Sequence, residues 1–517
     1  MAWPLAGLMV AALALRLAVL AAGSYPLESD EAIVGLMARH ILEGERPVFY
    51  YGQPYMGAAE AYLVAALFWA AGASTFVLRL GPLAVSLAFV CLVWKLGSDV
   101  FGEKVGLASA AYVALSPPFL TMWSLKARGG YIETLALGSA ILLLVVGIAY
   151  REHDSWPWWA GLGLLGGLAL WINELILPYL VAALVTLFLW RRTFLWSWRF
   201  LAAVAGAGLG GLPLWAYNWQ HPMATFQHLV EANAAGSISA TFLRNLLDVG
   251  RYASPVLLGA LQATSCLECF HQQRAAAGAL YFLGLAAVAG LAVLVLYRFG
   301  QSLRQLGKLS FDPGRRETPL LALLLASPLL FSASQVGFLH YSEPRYLLPL
   351  YSAVPLFLAA VFRLLGDRTR WLVALLALVL AFNLQANWRV DPALAMPVIE
   401  DGKRPSHSNV ELASFLRARG IGHVYTDYWI AYTLGFESEE RVIPSVVLPD
   451  LDIGYNRYLP YAHQVSVAEN PAYVFLRGTK AEAGFVGRTR AEGVSYRREE
   501  VGPYAVYYDL DPPRHVR

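Results

Sequence analysis

Three carboxylates fall within four residues at Glu28-Ser29-Asp30-Glu31, directly after the first long apolar block. Acidic groups at the edge of such a block are costly unless they are solvated or used. An acidic pair can accept a proton from a hydroxyl, or it can simply favour the N-terminus of a following helix. Residues 32–42 then place Ile33, Leu36, Met37, His40 and Ile41 at the spacing of an amphipathic helix lying on a surface. Next, Tyr50-Tyr51-Gly52-Gln53-Pro54-Tyr55-Met56-Gly57 breaks the chain and offers tyrosine faces that suit sugar rings. Glu60 follows in an apolar stretch, where a carboxylate is a functional candidate and a pair with Arg79 is the structural alternative.

Two more clusters complete the set. Lys126-Ala127-Arg128-Gly129-Gly130-Tyr131-Ile132-Glu133 puts two cations before a glycine pair and a carboxylate at a helix start. Glycines allow close backbone approach to a ligand, whereas the charges could equally be interfacial anchors and a dipole partner. His340-Tyr341-Ser342-Glu343-Pro344-Arg345-Tyr346 leads into Leu347-Leu348-Pro349-Leu350. A guanidinium such as Arg345 binds phosphate through two parallel hydrogen bonds, or it can form a weak surface pair with Glu343.

The elements that must carry these residues are apolar. The 517-residue chain is 57% hydrophobic and only 15% charged. Soluble domains carry about 25% charged residues. A net charge of +3 gives no electrostatic support for nucleic-acid binding. Blocks long enough to span a membrane lie near 4–23, 76–96, 105–122, 131–150, 157–173, 175–190, 200–218, 276–297, 318–338, 346–362 and 371–386. The first block lacks a preceding basic residue and reads as an uncleaved helix. Residues 58–72 form one further apolar block, short of a hydrocarbon core about 30 Å thick. If that block does not cross, the basic loops at Arg191–Arg199, Arg298–Arg316 and Arg363–Arg370 share one side, which is then cytoplasmic. All the candidate residues collect on the other, external side.

The expected fold is therefore all-α membrane, with about eleven transmembrane helices over residues 1–386. Juxtamembrane helices lie in its first external loop, and residues 387–517 form a small external α/β soluble domain. There Ser408-Asn409-Val410-Glu411 reads as a capping box opening a helix that ends at Gly420. Strands are expected at His423–Tyr428, Arg441–Val447, Ala472–Arg477 and Tyr504–Tyr508. Cys91 reads as a small buried hydrophobe. Cys266 and Cys269 form a CxxC that suits a disulfide outside the cytosol, with a metal site including His271 as the alternative.

The order of these motifs resembles the GT-C membrane glycosyltransferases, over roughly residues 1–390. Within them it is most similar to the bacterial branch related to protein O-mannosyltransferases and lipid A aminoarabinose transferases. The resemblance implies a polyprenyl-phosphate sugar donor and transfer of its hexosyl or pentosyl group, with inversion, to a hydroxyl of a lipid, glycan or protein. It implies a bacterial inner or plasma membrane location with the site on the periplasmic face. It maps the catalytic base onto Asp30, with Glu31 beside it, and the second-loop acid onto Glu133. The late phosphate ligand maps onto Arg345. Gln53, Tyr55, Glu60, Tyr131, Glu343 and Tyr346 join them as substrate-binding candidates. The family's first-loop Lys-Pro-Pro is not matched; Gln53-Pro54-Tyr55 stands there, which leaves Lys126 or Arg128 for that phosphate contact. The metal is left open: Asp30, Glu31 and Glu133 could offer a divalent cation hard oxygen ligands, or the cationic side chains could serve the phosphate without one. A non-catalytic transporter or lipid flippase is the alternative, and a ligase or polymerase of the same superfamily another. Transporters often show repeated halves and midplane charges, whereas no repeat is visible here and the polar residues gather at one face.

Overall fold

The computed structural model describes residues 2–227, 238–264, 267–334, 344–364, 369–400 and 402–516. Glu343 and Cys266 lie outside the described residues. Cys269 is disulfide-bonded and Cys91 is free.

The chain begins with α1 (Ala2–Ala21), α2 (Ser29–Glu43), α3 (Ala59–Ala71), α4 (Thr75–Phe101), α5 (Glu103–Ala114), α6 (Pro118–Trp123) and α7 (Tyr131–Tyr150). Next come α8 (Trp156–Ile172), α9 (Leu177–Trp190) and α10 (Trp198–Gly210). Among the described residues, four helices are long and apolar enough to cross a membrane, or six if two bent pairs each count as one span. The expected blocks at 200–218 and 346–362 are those bent pairs, broken by 68° and 49°. Several other expected spans are shorter helices, among them Thr318–Ala333 and Val373–Trp388. As expected, α3 is too short to cross a bilayer: its 13 residues rise roughly 20 Å.

The two ends of the bundle differ. At one end Arg192 donates to the Leu309 carbonyl at 3.0 Å, and Arg151 pairs with Asp99 at 2.9 Å. Arg191 and Arg199 both meet Asp154 there. The basic loops around 191–199 and 309–316 therefore share one end, while α2 and the loops near Gly129, Asn173 and Tyr346 meet at the other.

Where α8 and α10 cross, backbones touch. A Cβ built on Gly163 would lie 1.8 Å from the Ala203 carbonyl oxygen, and one on Gly210 would lie 2.1 Å from that of Leu164. Gly167 and Gly206 are as tight, so small residues four apart face each other on both helices. This contact fixes the end of α8, where Asn173 sits.

The C-terminal part carries a five-stranded sheet. Its strands are β1 (His423–Thr426), β2 (Ile443–Val446), β3 (Ala472–Leu476), β4 (Ser495–Val501) and β5 (Tyr504–Asp511), in the order β2-β1-β3-β5-β4. β1 runs parallel to β2 and β3, whereas β5 is antiparallel to β3 and β4. The capping box at 408–411 does not form as expected. Ser408 Oγ donates to Glu437 at 3.0 Å and accepts the N–H of Val410 at 3.3 Å rather than that of Glu411, while Asn409 spends its side chain on Thr433 and Tyr504.

Helix α11 (Tyr428–Glu437) follows β1 and lies directly on α2. Ser29 Oγ donates to the Tyr428 carbonyl at 2.6 Å, and Arg39 donates to that of Phe436 at 3.0 Å. α2 is thus not the surface helix that its apolar spacing suggested. Ala32, Gly35 and Ala38 are small enough to let a second layer pack on what would be its outer face. A Cβ on Gly35 would sit 2.5 Å from Cε2 of Phe436. Gly35→Val should therefore lift α11 from α2 and cost about 1–3 kcal/mol. Thermal unfolding together with hydrogen exchange of residues 428–437 checks this; unchanged protection would mean that Phe436 has room elsewhere.

Candidate active site

α2 sets the orientation of its acidic residues. Successive residues on a helix point about 100° apart, so Asp30 and Glu31 cannot face the same way. Glu31 turns inward, fully buried, and takes both Nε and Nη2 of Arg79 at 2.7 Å. The expectation that Glu31 stands beside Asp30 at the reacting centre is thereby corrected: its two oxygens are committed to a buried bidentate pair. Arg79 is the partner of Glu31 and not, as the alternative reading had it, of Glu60.

Glu60 braces the loop before α7. Its Oε2 accepts the backbone N–H of Gly129 at 2.6 Å and of Gly130 at 3.0 Å. Both glycines have positive φ, +90° and +85°, which turns their amides toward the carboxylate at no steric cost. Asn173 donates to the Gly129 carbonyl at 3.0 Å and so ties in the end of α8. The glycine pair thus serves the loop's own fold. Glu133, in the first turn of α7, is buried away from the cleft, and its carboxylate oxygens meet no hydrogen-bond partner among the described residues.

Asp30 faces a small polar cleft of about 80 Å³. Tyr50, Gln53, Tyr55, Arg128, Tyr131, Glu174, Arg345, Tyr346 and Arg457 also line it. Seven residues chosen from sequence converge there: Asp30, Gln53, Tyr55, Arg128, Tyr131, Arg345 and Tyr346. Asp30 Oδ2 accepts from Arg128 Nη2 at 2.6 Å, while Oδ1 accepts from the Tyr428 hydroxyl at 2.5 Å and lies 4.0 Å from Arg457 Nη2. Tyr50 donates to the Asp30 backbone carbonyl at 2.9 Å. Burial pushes the Asp30 carboxyl up. The Arg128 and Arg457 charges and the Tyr428 and Arg128 hydrogen bonds more than reverse that, and hold it at about 2.

Lys126 lies behind this group and meets Glu28 at 3.0 Å; Arg128 shares that carboxylate at 2.9 Å. A second cavity, of about 110 Å³, opens on this side, with Tyr25, Phe119, Met122, Trp123, Leu261 and Met396 among its walls beside Glu28 and Lys126. Arg128 and Arg345 line both cavities. The Arg345 guanidinium sits over the rings of Tyr346, Tyr131 and Trp123 at 5.3, 5.6 and 5.9 Å. An anion placed between the cavities would meet two guanidiniums, with an apolar space on one side and a tyrosine-lined space on the other.

The whole chain superposes on ArnT from Cupriavidus metallidurans. For the structure bound to undecaprenyl phosphate the TM-score is 0.62 at 12% identity, covering 98% of each chain. For the apo structure it is 0.63 at 12% identity, covering 99% of each. The chain shares the fold of ArnT. The oligosaccharyltransferase of Archaeoglobus fulgidus in complex with zinc and sulfate also matches, at a TM-score of 0.50 and 14% identity. The match covers 98% of this chain and 72% of that one. Residues 52–216 match the family described as dolichyl-phosphate-mannose-protein mannosyltransferase. No curated protein matches the sequence. The GT-C resemblance read from the motif order thus stands on the fold as well.

The carboxylates expected to offer a cation site do not come together. Among the described residues no three His, Cys, Asp or Glu converge to hold a metal ion. Arg457, Tyr428 and Glu174 enter the site or its edge without having been singled out by sequence. Arg457 and Tyr428 come from the C-terminal part, which carries no recognisable motif, and Glu174 is marked in the sequence only by its place in the short Asn173-Glu174 turn.

Glu60→Ala leaves two amides without their acceptor and should destabilise the protein by about 1–3 kcal/mol per amide. Glu60→Gln keeps an acceptor oxygen and should be milder. Thermal unfolding of the two variants compares them, and equal small losses would show that the loop finds other partners.

Proposed function

We propose that this protein is a membrane glycosyltransferase that moves a sugar from a polyprenyl-phosphate donor to an acceptor hydroxyl. The observation that carries the reading is Asp30, a buried carboxylate flanked by Arg128 and Arg457 and facing a cleft that shares its Arg128–Arg345 wall with an apolar cavity. A lipid-linked sugar phosphate has three parts, and the site offers a place for each. The isoprenoid end fits the apolar cavity, the phosphate fits between Arg128 and Arg345, and the sugar fits among Tyr50, Tyr55, Tyr131 and Tyr346.

In this reading the acceptor oxygen attacks the anomeric carbon from the side opposite the phosphate. The bond to the phosphate oxygen breaks, and the acceptor proton passes to Asp30. One displacement inverts the anomeric centre. Arg128 and Arg345 offset the charge that develops on the departing phosphate. An incoming phosphate also competes with Asp30 for Arg128. Drawing that guanidinium away frees Oδ2 and strengthens Asp30 as a base when donor is present. Glu31, Glu60 and Glu28 support this arrangement from behind, and Lys126 holds Glu28.

In this reading the chain crosses a plasma membrane eleven times, as the apolar blocks of the sequence suggest, so that the cleft and residues 387–517 lie outside and the shared basic end lies in the cytosol. Ser74 is exposed between α3 and α4. A cysteine placed there should react with an impermeant thiol reagent from outside intact cells; labelling from the cytosol alone would reverse this orientation.

Asp30→Asn should abolish sugar transfer while leaving donor binding in place. Arg345→Lys keeps a charge but loses the paired geometry, and should lower donor affinity or turnover roughly tenfold to hundredfold. Purified protein assayed with polyprenyl-phosphate sugars reads both variants. Full turnover in Asp30→Asn would remove Asp30 as the base.

A further inference from the structure

Tyr428 and Arg457 leave the sheet at the same edge. Tyr428 opens the helix after β1, and Arg457 lies in the segment after β2. Side chains beyond the carboxyl ends of parallel strands are where open α/β sheets place their ligands. Here that edge points at α2, and the object it meets is a carboxylate of the same chain.

The contacts form a relay. Arg457 Nε donates to the Tyr428 hydroxyl at 3.0 Å, and that hydroxyl donates to Asp30 Oδ1. With its amide oxygen turned inward, Gln53 accepts from Arg457 Nη1 and Nη2 at 2.7 and 3.1 Å and from Tyr55 at 2.8 Å. The Arg457 guanidinium lies over the rings of Tyr455, Tyr428 and Tyr50 at 4.7, 5.5 and 5.6 Å. Arg457 is thus fixed from four directions and in turn fixes the donor that Asp30 accepts from. Asp30 and Arg457 keep only 19% and 11% of their side-chain surface exposed, so water does little of this work.

We infer that Tyr428 and Arg457 are positioning residues for the Asp30 carboxylate, so that the C-terminal α/β part completes the catalytic centre. This rests on the reading of Asp30 as the base. It adds that the base is oriented from outside the membrane portion: Oδ1 is held by the C-terminal part, while Oδ2, on Arg128, is left to respond to substrate.

The test is the protonation of Asp30. The groups facing it are Arg128 from the loop before α7, Tyr428 and Arg457 from the C-terminal part, and Tyr50 through the backbone carbonyl. On its own helix segment, Glu28 is occupied by Lys126 and Arg128, and Glu31 by Arg79. Tyr428 and Arg457 both favour the ionised form. Removing either disfavours the anion, so the pH at which Asp30 takes up a proton must rise. Tyr428→Phe should raise it by about one pH unit, and Arg457→Met by about 1–3. The infrared carbonyl band of the protonated acid, assigned by its loss in Asp30→Asn, follows this titration in the full-length protein without substrate. The acid limb of the kcat/KM profile should move up in step. Hydrogen exchange of 428–437 reports whether α11 stays docked. Titrations that coincide with the wild type while α11 remains protected would overturn the proposal. So would loss of protection in Tyr428→Phe, since the hydroxyl would then be a docking contact. If the wild type transfers no sugar, the functional reading fails, but the infrared titration still decides whether these two residues hold Asp30.

Discussion

A buried carboxylate is stable only where donors and positive charge replace the water it gives up. At Asp30 the replacements come from places far apart in sequence: Arg128 in the loop before α7, and Tyr428 and Arg457 in the C-terminal part, while Tyr50 holds the Asp30 backbone carbonyl. Each must arrive within hydrogen-bond distance. That requirement explains much of the surrounding architecture. Gly35 lets α11 approach α2, the glycine pair bends the second loop toward Glu60, and the α8–α10 contact holds the Asn173 turn against that loop.

The other acidic residues near the site show the same rule applied to scaffolding. Glu31 has its fork with Arg79, Glu28 has Lys126 and Arg128, and Glu60 has two backbone amides. These pairs stiffen the walls and leave Asp30 and Glu174 as the carboxylates that line the cleft. Removing one partner of such a pair is far more costly than the pair's net contribution, because an unpaired buried charge remains.

Much of the site is legible in the sequence, and the physical reason is locality. Glycine pairs, a chain-breaking tyrosine loop and an Arg after Glu-Pro are local signals, and seven of the residues they flag share one cleft. Helical geometry could have separated Asp30 from Glu31, because neighbours on a helix diverge by about 100°. Tyr428 and Arg457 carry no such signal. They act through contacts nearly 400 and more than 400 residues long, between segments whose own composition looks ordinary. The fourth strand escapes sequence reasoning for a related reason. Ser495–Val501 is charged and mostly exposed, and it is a strand because β5 offers it a ladder. The C-terminal capping motif misleads because the Ser408 hydroxyl finds a tertiary partner in Glu437 and reaches only the first helical N–H, that of Val410.

The distance between Asp30 and Tyr428 along the chain also has a meaning in time. At roughly 5–20 residues per second, a ribosome needs roughly 20–80 s to travel from one to the other. Throughout that interval the first loop has left the ribosome with its acidic cluster but without the hydroxyl and guanidinium that will orient it. Arg79 and Arg128 are made early, so the membrane portion can settle its own ion pairs first. The carboxylate that faces the cleft reaches its final geometry only when the sheet has folded and its edge has docked. Assembly of the site is thus among the last events in the maturation of this protein.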